Sequence, residues 1–334
     1  MNLLFEDQMR TSDPGASVPA YDPDERAKML DEAVAATPVR RSRGRLLLAA
    51  CAALVVAGLI FQSVTASIGS AQASEVLHQA AIHAFDERSR PGQYWQLTRT
   101  GTNIYGDQDN RLFLVRVEHV DYVAVDGKRP TWFVRGGATT VRQLSGPPPT
   151  GPVTWSPGDT WTTNLSPEQM PAYWSLPSPS WLAALPRDPA QLRARLYADT
   201  EGRGNNHDDE AFTYVADVLR SGIVPADLRS ALFEVLRTIP GTTVKDAEAR
   251  LDDGRVGAAI GRNDIFGSTG QLIVDPDNGQ VIGERTVMST FFGFVGDATL
   301  TTGIAARLVD SVPKNVQENA RREKCTVEND EVRC

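Results

Sequence analysis

The chain has 334 residues, of which 41% are apolar and 23% charged, and a formal net charge of −8; this is the composition of a globular protein with enough length outside any anchor for one large domain or two small ones. The balance is acidic and no stretch forms a basic field for nucleic acid, so no nucleic-acid partner is expected.

Residues 1–20 mix Ser, Pro, Gly and Asp without periodicity and are expected to be disordered. Asp22-Pro23-Asp24-Glu25 then supplies cap and first-turn residues, and Ala27, Leu30, Ala33 and Val34 recur at helical spacing as far as Thr37-Pro38. This predicts a short amphipathic helix over 22–36. It reads either as a docking helix for a cytoplasmic partner or as a helix near the lipid surface, since 45 residues cannot bury a core of their own.

Leu46 to Ile68, LLLAACAALVVAGLIFQSVTASI, contains no charged residue and only weakly polar ones after Phe61. At about 1.5 Å of helix rise per residue, its 23 positions are long enough to cross a ~30 Å hydrocarbon core. Arg40, Arg41, Arg43 and Arg45 sit immediately before it and Gly69 to Ser74 carry no charge. The positive-inside bias therefore places residues 1–45 in the cytoplasm and 69–334 outside: a single-pass protein of the cell membrane, with the bilayer as its first partner. A cleaved signal peptide would carry its basic region near the N-terminus and a shorter apolar region, although Ala71-Gln72-Ala73 has the small residues of a cleavage site. Leu48-Ala49-Ala50-Cys51 resembles a lipoprotein box, but the apolar run before the cysteine is too short, and Cys51 reads as part of the span. Eight acidic and seven basic residues precede the span, against 34 and 27 after it, so almost all of the negative charge belongs to the outer part.

Beyond the span, Ser74 to Asp86 reads as a helix with Val76, Leu77, Ala80, Ala81, Ala84 and Phe85 on one face. His78 and His83 are five apart and do not share that face, so no metal site is expected there. Pro91-Gly92 ends the helix. Strands are predicted at 94–105, 111–125, 131–135 and 141–144, with Asp126-Gly127 as a hairpin turn. Ser145 to Pro186 holds ten of the 21 prolines and four of the six tryptophans, Trp155, Trp161, Trp174 and Trp181. Proline at this density forbids a regular ladder. The segment is expected to be a long loop with short helices packed on the sheet, or else the roof of a lipid, glycan or peptide cleft, with the four tryptophans as the ligand or partner surface.

Helices follow at 188–196, 208–220 and 225–238, opened by Asp188-Pro189 and by Pro225 with Asp227, and closed by Pro240-Gly241. The run Glu201 to Asp209 gathers His207, Asp208 and Asp209, with Glu210 next to it, which reads as a cap with solvated charge or as a cation site. Strands return at 241–251, 255–262, 271–275, 280–288 and 299–309. Asp275-Pro276-Asp277-Asn278-Gly279 looks like a calcium loop, but Gly279 stands at the fifth position and Thr286 at the twelfth, so it reads as a hairpin turn with Gly279 at positive φ. Cys325 and Cys334 lie in the outer compartment, where a disulfide persists, and they are expected to close a terminal loop.

For catalysis, Ser311-Val312-Pro313-Lys314 has serine–lysine spacing, but Pro313 breaks the turn that would join the two groups and no companion motif exists. There is no GxSxG, Walker or GxGxxG pattern. The chain is read as a non-enzyme with no cofactor.

Four pieces in this order, the Asp-rich helix before the arginine cluster and span, LPRDPAQLRARLY at Leu185 to Tyr197, LRSALFEVLRTIPG at Leu228 to Gly241, and LIVDPDNGQVIGERTV at Leu272 to Val287, resemble an uncharacterised family of actinobacterial single-pass membrane proteins often encoded beside extracytoplasmic-function sigma factors. The resemblance implies a cytoplasmic sigma factor or similar regulator as partner. Some members are similar to the curved sheets that bind lipid or sense lipoproteins, which implies a lipid or envelope protein as partner outside. The extension from Pro313 to Cys334 departs from the family pattern.

The expected architecture is α+β: a cytoplasmic tail (1–45), a transmembrane helix (46–68), an extracytoplasmic domain (69–312) in which a curved antiparallel β-sheet carries a helical insertion near 186–239, and a C-terminal tail (313–334) with the disulfide. The expected function is a sensor or regulatory partner that links an outer ligand to a cytoplasmic regulator. The alternative is a lipid- or lipoprotein-binding module or envelope scaffold without signalling.

Overall fold

A computed structural model describes residues 69–204, 206–262, 269–288 and 298–334. The expected helix over 22–36 and the span from Leu46 to Ile68, with its flanking arginines, lie outside the described residues. Among the described residues no helix is long and apolar enough to cross a membrane.

The fold is mixed α+β, built on a large curved, non-closed sheet. Strands β1 (Tyr94–Gly106) and β2 (Leu112–Ala124) form its long central hairpin. The turn at Gly127 (φ 65°) leads to β3 (Trp132–Arg135), and β4 (Thr139–Ser145) returns to the far end of β2. After β5 (Asp159–Thr163) comes a block of helices, α2 (Pro179–Ala184), α3 (Pro189–Asp199), α4 (His207–Arg220) and α5 (Ala226–Leu236). The sheet then resumes with β6 (Thr243–Arg250), β7 (Val256–Gly261), β8 (Thr269–Asp275), β9 (Gln280–Met288) and β10 (Ala298–Val309). Pairing of β10 with β1, from Tyr94 opposite Val309 to Gly101 opposite Thr302, joins the two halves. With β11 (Arg321–Glu323) at one edge, the order is β11-β5-β3-β2-β1-β10-β9-β8-β7-β6. The sheet is thus interrupted by a helical insertion, as the sequence pattern predicts.

Helix caps explain where the insertion begins and turns. Asp188 accepts from the Gln191 amide at 2.9 Å ahead of Pro189, and Asn206 accepts from the Asp209 amide at 2.9 Å ahead of an acidic first turn that suits the helix dipole. The Leu192, Leu196, Phe212, Val215, Leu228, Leu232 and Leu236 side chains are buried together, against Ile260, Leu272, Val274 and Ile304 of the sheet. Ile304 and Val309 are five positions apart on one strand and so point to opposite faces. Val309 belongs to a second cluster, with Tyr94, Tyr122 and Ala124, covered by Val312 and by Val316 of α6 (Lys314–Asn319). Helix α1, over residues 69–83, and helices α3 to α5 therefore occupy one face of the sheet and α6 the other.

Three expectations are corrected. Helix α1 spans 69–83, starting earlier and stopping before Asp86, because residues 85 and 86 are drawn out to a buried arginine described below. The Pro/Trp-rich segment does enter the ladder: Asp159 to Thr162 pairs with Arg135 to Trp132, since this stretch lies between Pro157 and Pro167 and is itself proline-free and rich in threonine. The segment after 312, expected as a tail, carries α6 and then β11, which pairs in parallel with β5. Only the hairpin of β12 (Thr326–Glu328) and β13 (Glu331–Arg333) stands off the main sheet, between the bonded Cys325 and Cys334.

Helix α1 is a core element. Ala73, Leu77, Ala80 and Ala81 are at most 5% exposed, and a polar clasp holds its outer side to α5. His78 Nδ1 lies 2.8 Å from Glu234 Oε1, Arg237 Nη1 donates to Glu234 Oε2 at 2.8 Å, and Arg237 Nε donates to the Ser74 hydroxyl at 3.0 Å. Burial alone would raise the Glu234 pKa, but hydrogen bonds from His78 and Arg237 outweigh it and hold the carboxyl below its ordinary 4.5. A depressed carboxylate contributes stability above its unfolded pKa and loses it as pH falls through the lower folded value. Melting temperature against pH is expected to fall below about pH 4.5 in the wild type, with a shallower acid limb in Glu234→Gln; superimposable profiles would contradict the clasp.

Candidate ligand groove

Two adjoining cavities open on the helix-bearing face where α1 ends. The larger, about 300 Å³, lies between Phe85, the α4–α5 junction and strands β9 and β10, with Leu219, Val224, Ile304 and Ala306 among its walls. The smaller, about 160 Å³, lies between the same junction and Pro179 and Leu182 of α2. Asp86, Glu87, Trp95 and Val224 border both, so they mark the junction of the two cavities.

Each wall has a sequence cause. Trp95 follows the buried Tyr94 on β1, so strand alternation turns it to the helix side. Gly222, at φ 72°, lets the chain reverse between α4 and α5, and a Cβ there would sit 2.9 Å from Leu97 Cδ2, so only glycine brings the junction this close to β1. Ala306, on the same face of β10 as Ile304, is exposed, and its small side chain leaves the space that a larger one would fill.

Arg229, on α5, holds the groove's rim. Its side chain is 6% exposed, and its guanidinium donates to four acceptors on three chain segments: Nε to the Gly279 carbonyl at 2.6 Å, Nη1 to the Val224 carbonyl at 2.8 Å and to Asp86 Oδ1 at 3.0 Å, and Nη2 to the Phe85 carbonyl at 2.8 Å. Asp86 Oδ2 in turn accepts the Ala226 amide at 2.5 Å, in the first turn of α5. Gly279, at φ 62°, closes the β8–β9 turn as expected, and a Cβ there would collide with the Ala80 carbonyl oxygen. This tight approach sets the hairpin against α1, where His83 Nδ1 also meets the Pro276 carbonyl at 2.9 Å.

The four tryptophans proposed from sequence do not form one surface. Trp174 is 3% exposed, donates to Asp199 at 2.9 Å, stacks on Tyr214 and meets Trp181 edge-on, so this pair fills the helical core. Trp155 donates to the Thr140 hydroxyl at 2.8 Å and packs edge-on against Tyr105 and Phe113. Trp161 stacks on Phe133 beneath Arg135, whose guanidinium shares the Asp121 carboxylate with Arg99. His119, opposite Arg135 on β2, has its pKa lowered by burial and then by the nearby Arg135 charge. Trp95, in the groove, was not singled out, because a tryptophan opening a predicted strand looks like an ordinary core residue.

The acidic run before α4 is used up structurally: Asp208 accepts the Tyr197 hydroxyl at 2.6 Å and Asp209 pairs with Arg262 at 2.8 Å. Among the described residues one group of metal-ligating types comes together, Glu323 with Cys325 and Cys334, and its sulfurs are bonded to each other. Ser311 precedes α6 while Lys314 is its first residue, so the serine–lysine turn does not form. Compared with known proteins, the chain matches no family model, no curated protein and no solved structure.

Removing Arg229 would strand an acid and three carbonyls together. Arg229→Met is expected to destabilise the protein by about 3–5 kcal/mol, as for other half-removed buried pairs, and Arg229→Lys to recover only part of this, since one ammonium cannot serve all four acceptors. Denaturant unfolding checks both; a loss below about 1 kcal/mol for the methionine variant would refute the node.

Proposed function

We propose that this protein is a non-enzymatic, membrane-anchored envelope sensor, its N-terminal residues 1–45 cytoplasmic and its sheet domain outside, which reports occupancy of the groove to a cytoplasmic regulator of the sigma-factor kind. The observation that supports this most directly is α1. It begins one residue after the predicted span ends at Ile68, it is buried in the domain core, and residues 85 and 86 just past its end are the groove wall held by Arg229. A shift of that wall on ligand binding would bear on α1, which follows the predicted span directly in sequence. A ligand can drive such a shift only through a difference in affinity between two states. The groove's position against α1 provides a physical route to one.

Cavity size favours this reading over the lipid-carrier alternative. About 300 Å³ is the lower end of the roughly 300–1,000 Å³ of small-molecule sites, room for a compact ligand rather than a two-chain lipid.

Tagged full-length chain, the same chain lacking residues 1–38, and an Ala306→Phe variant that fills the groove are to be crosslinked in cells and purified from membranes. The cytoplasmic partner is expected to disappear from the truncation and to change in amount with Ala306→Phe. Identical partner sets in all three would overturn the proposal.

A further inference from the structure

We infer that the groove selects a small organic cation: a protonated or quaternary amine on a compact apolar body, its charged head between Trp95 and Glu87 and its body in the larger cavity. This rests on the sensor reading above and names the ligand class of the same groove. Trp95 carries the first part of the argument. The other five tryptophans each have a ring or hydrogen-bond partner, whereas among the described residues Trp95 has neither, although it stands where both cavities meet. A tryptophan without ring or hydrogen-bond partner that lines a cavity junction is a preferred contact for a cation, which the ring quadrupole attracts.

Charge carries the second part. The smaller cavity is bordered by two carboxylates, Asp86 and Glu87, and by no basic side chain. Asp86 is neutralised by Arg229, while Glu87 has no cation partner among the described residues. In the larger cavity Arg255 is spent on Asp253 and the Ile304 carbonyl, and Arg307, which donates to Gln96 at 2.8 Å, does not border the junction. An anionic head at the junction would meet Glu87, and none of the four residues that border both cavities is a cation. An ammonium would meet a carboxylate and an aromatic face together, and its apolar part would cover surface that water now wets.

The test uses full-length chain in maltoside micelles, labelled with 5-fluorotryptophan and titrated with 2-phenylethylammonium, its neutral counterpart 2-phenylethanol, and the anion 3-phenylpropanoate. The Trp95 fluorine resonance is assigned by its loss in Trp95→Leu, and the five remaining resonances in that variant report an intact fold. A saturable shift of the Trp95 signal is expected with the cation at an affinity at least about tenfold above the other two probes, and weakened about fivefold by Glu87→Gln, a size typical of single cation–π and partly exposed ion-pair contacts. Equal affinity for all three probes, tighter binding of the anion, no saturable shift, or an unchanged Glu87→Gln would each overturn the inference. Failure here with a partner set still altered by Ala306→Phe removes the ligand class and leaves the sensor reading; intact binding with an unaltered partner set does the reverse.

Discussion

The arrangement depends on one buried cation. Arg229 is almost wholly removed from water and yet satisfies its donors on Asp86 and on the carbonyls of Phe85, Val224 and Gly279. Desolvating a guanidinium costs several kcal/mol unless a carboxylate and further acceptors replace its water shell, so the three segments must arrive together or the ion cannot be buried. The end of α1, the α4–α5 junction, α5 itself and the β8–β9 hairpin are thereby held in one geometry. A hydrophobic residue could fill the same volume, but it would leave the three carbonyls to find other donors. Arginine's planar fork reaches all of them at once.

A groove persists beside this node because close approach and small size occur side by side. Gly222 and Gly279 bring backbone against Leu97 and against α1, where any Cβ would intrude. Next to them Ala306 leaves the sheet surface unfilled. Walls fixed by backbone contact do not collapse into the space, so the cavity is pre-formed rather than opened by a ligand. The proposed sensing role follows from location: the wall that a ligand would touch is the same chain that leaves α1, and α1 follows the predicted span directly in sequence.

Chemistry in the groove is selective through what is already committed. Of the residues bordering both cavities, Asp86 is paired with Arg229, while Glu87 has no ion-pair partner among the described residues and Trp95 no ring or hydrogen-bond partner. Such a residue of unpaired groups is more informative than the overall charge of −8, which is spread over many solvated carboxylates and says nothing about a site. Trp155, Trp161, Trp174 and Trp181 make the converse point. Their number and clustering in a proline-rich segment suggested a surface, but each found a partner elsewhere, because a large indole with a polar edge is an efficient gap-filler wherever an acceptor is in reach.

Local pattern determined most of the secondary structure. The strands at 94–105, 255–262 and 280–288 and the helices opened by Asp188-Pro189 and Asn206 lie within a few residues of their predicted limits, since alternation, caps and turn glycines act over short distances. The Asp275 to Gly279 turn was legible for the same reason: positive φ at a glycine after an Asp-Pro-Asp-Asn run is a local property. The order of strands was not legible, nor was the recruitment of Asp159 to Thr163 and of Arg321 to Glu323 to the sheet edge, because short strands are stabilised by partners distant in sequence. The groove belongs wholly to this second kind. Trp95, Glu87, Gly222 and Ala306 carry no shared motif, and only tertiary packing, with Arg229 drawing three segments onto one guanidinium, places them around a common space.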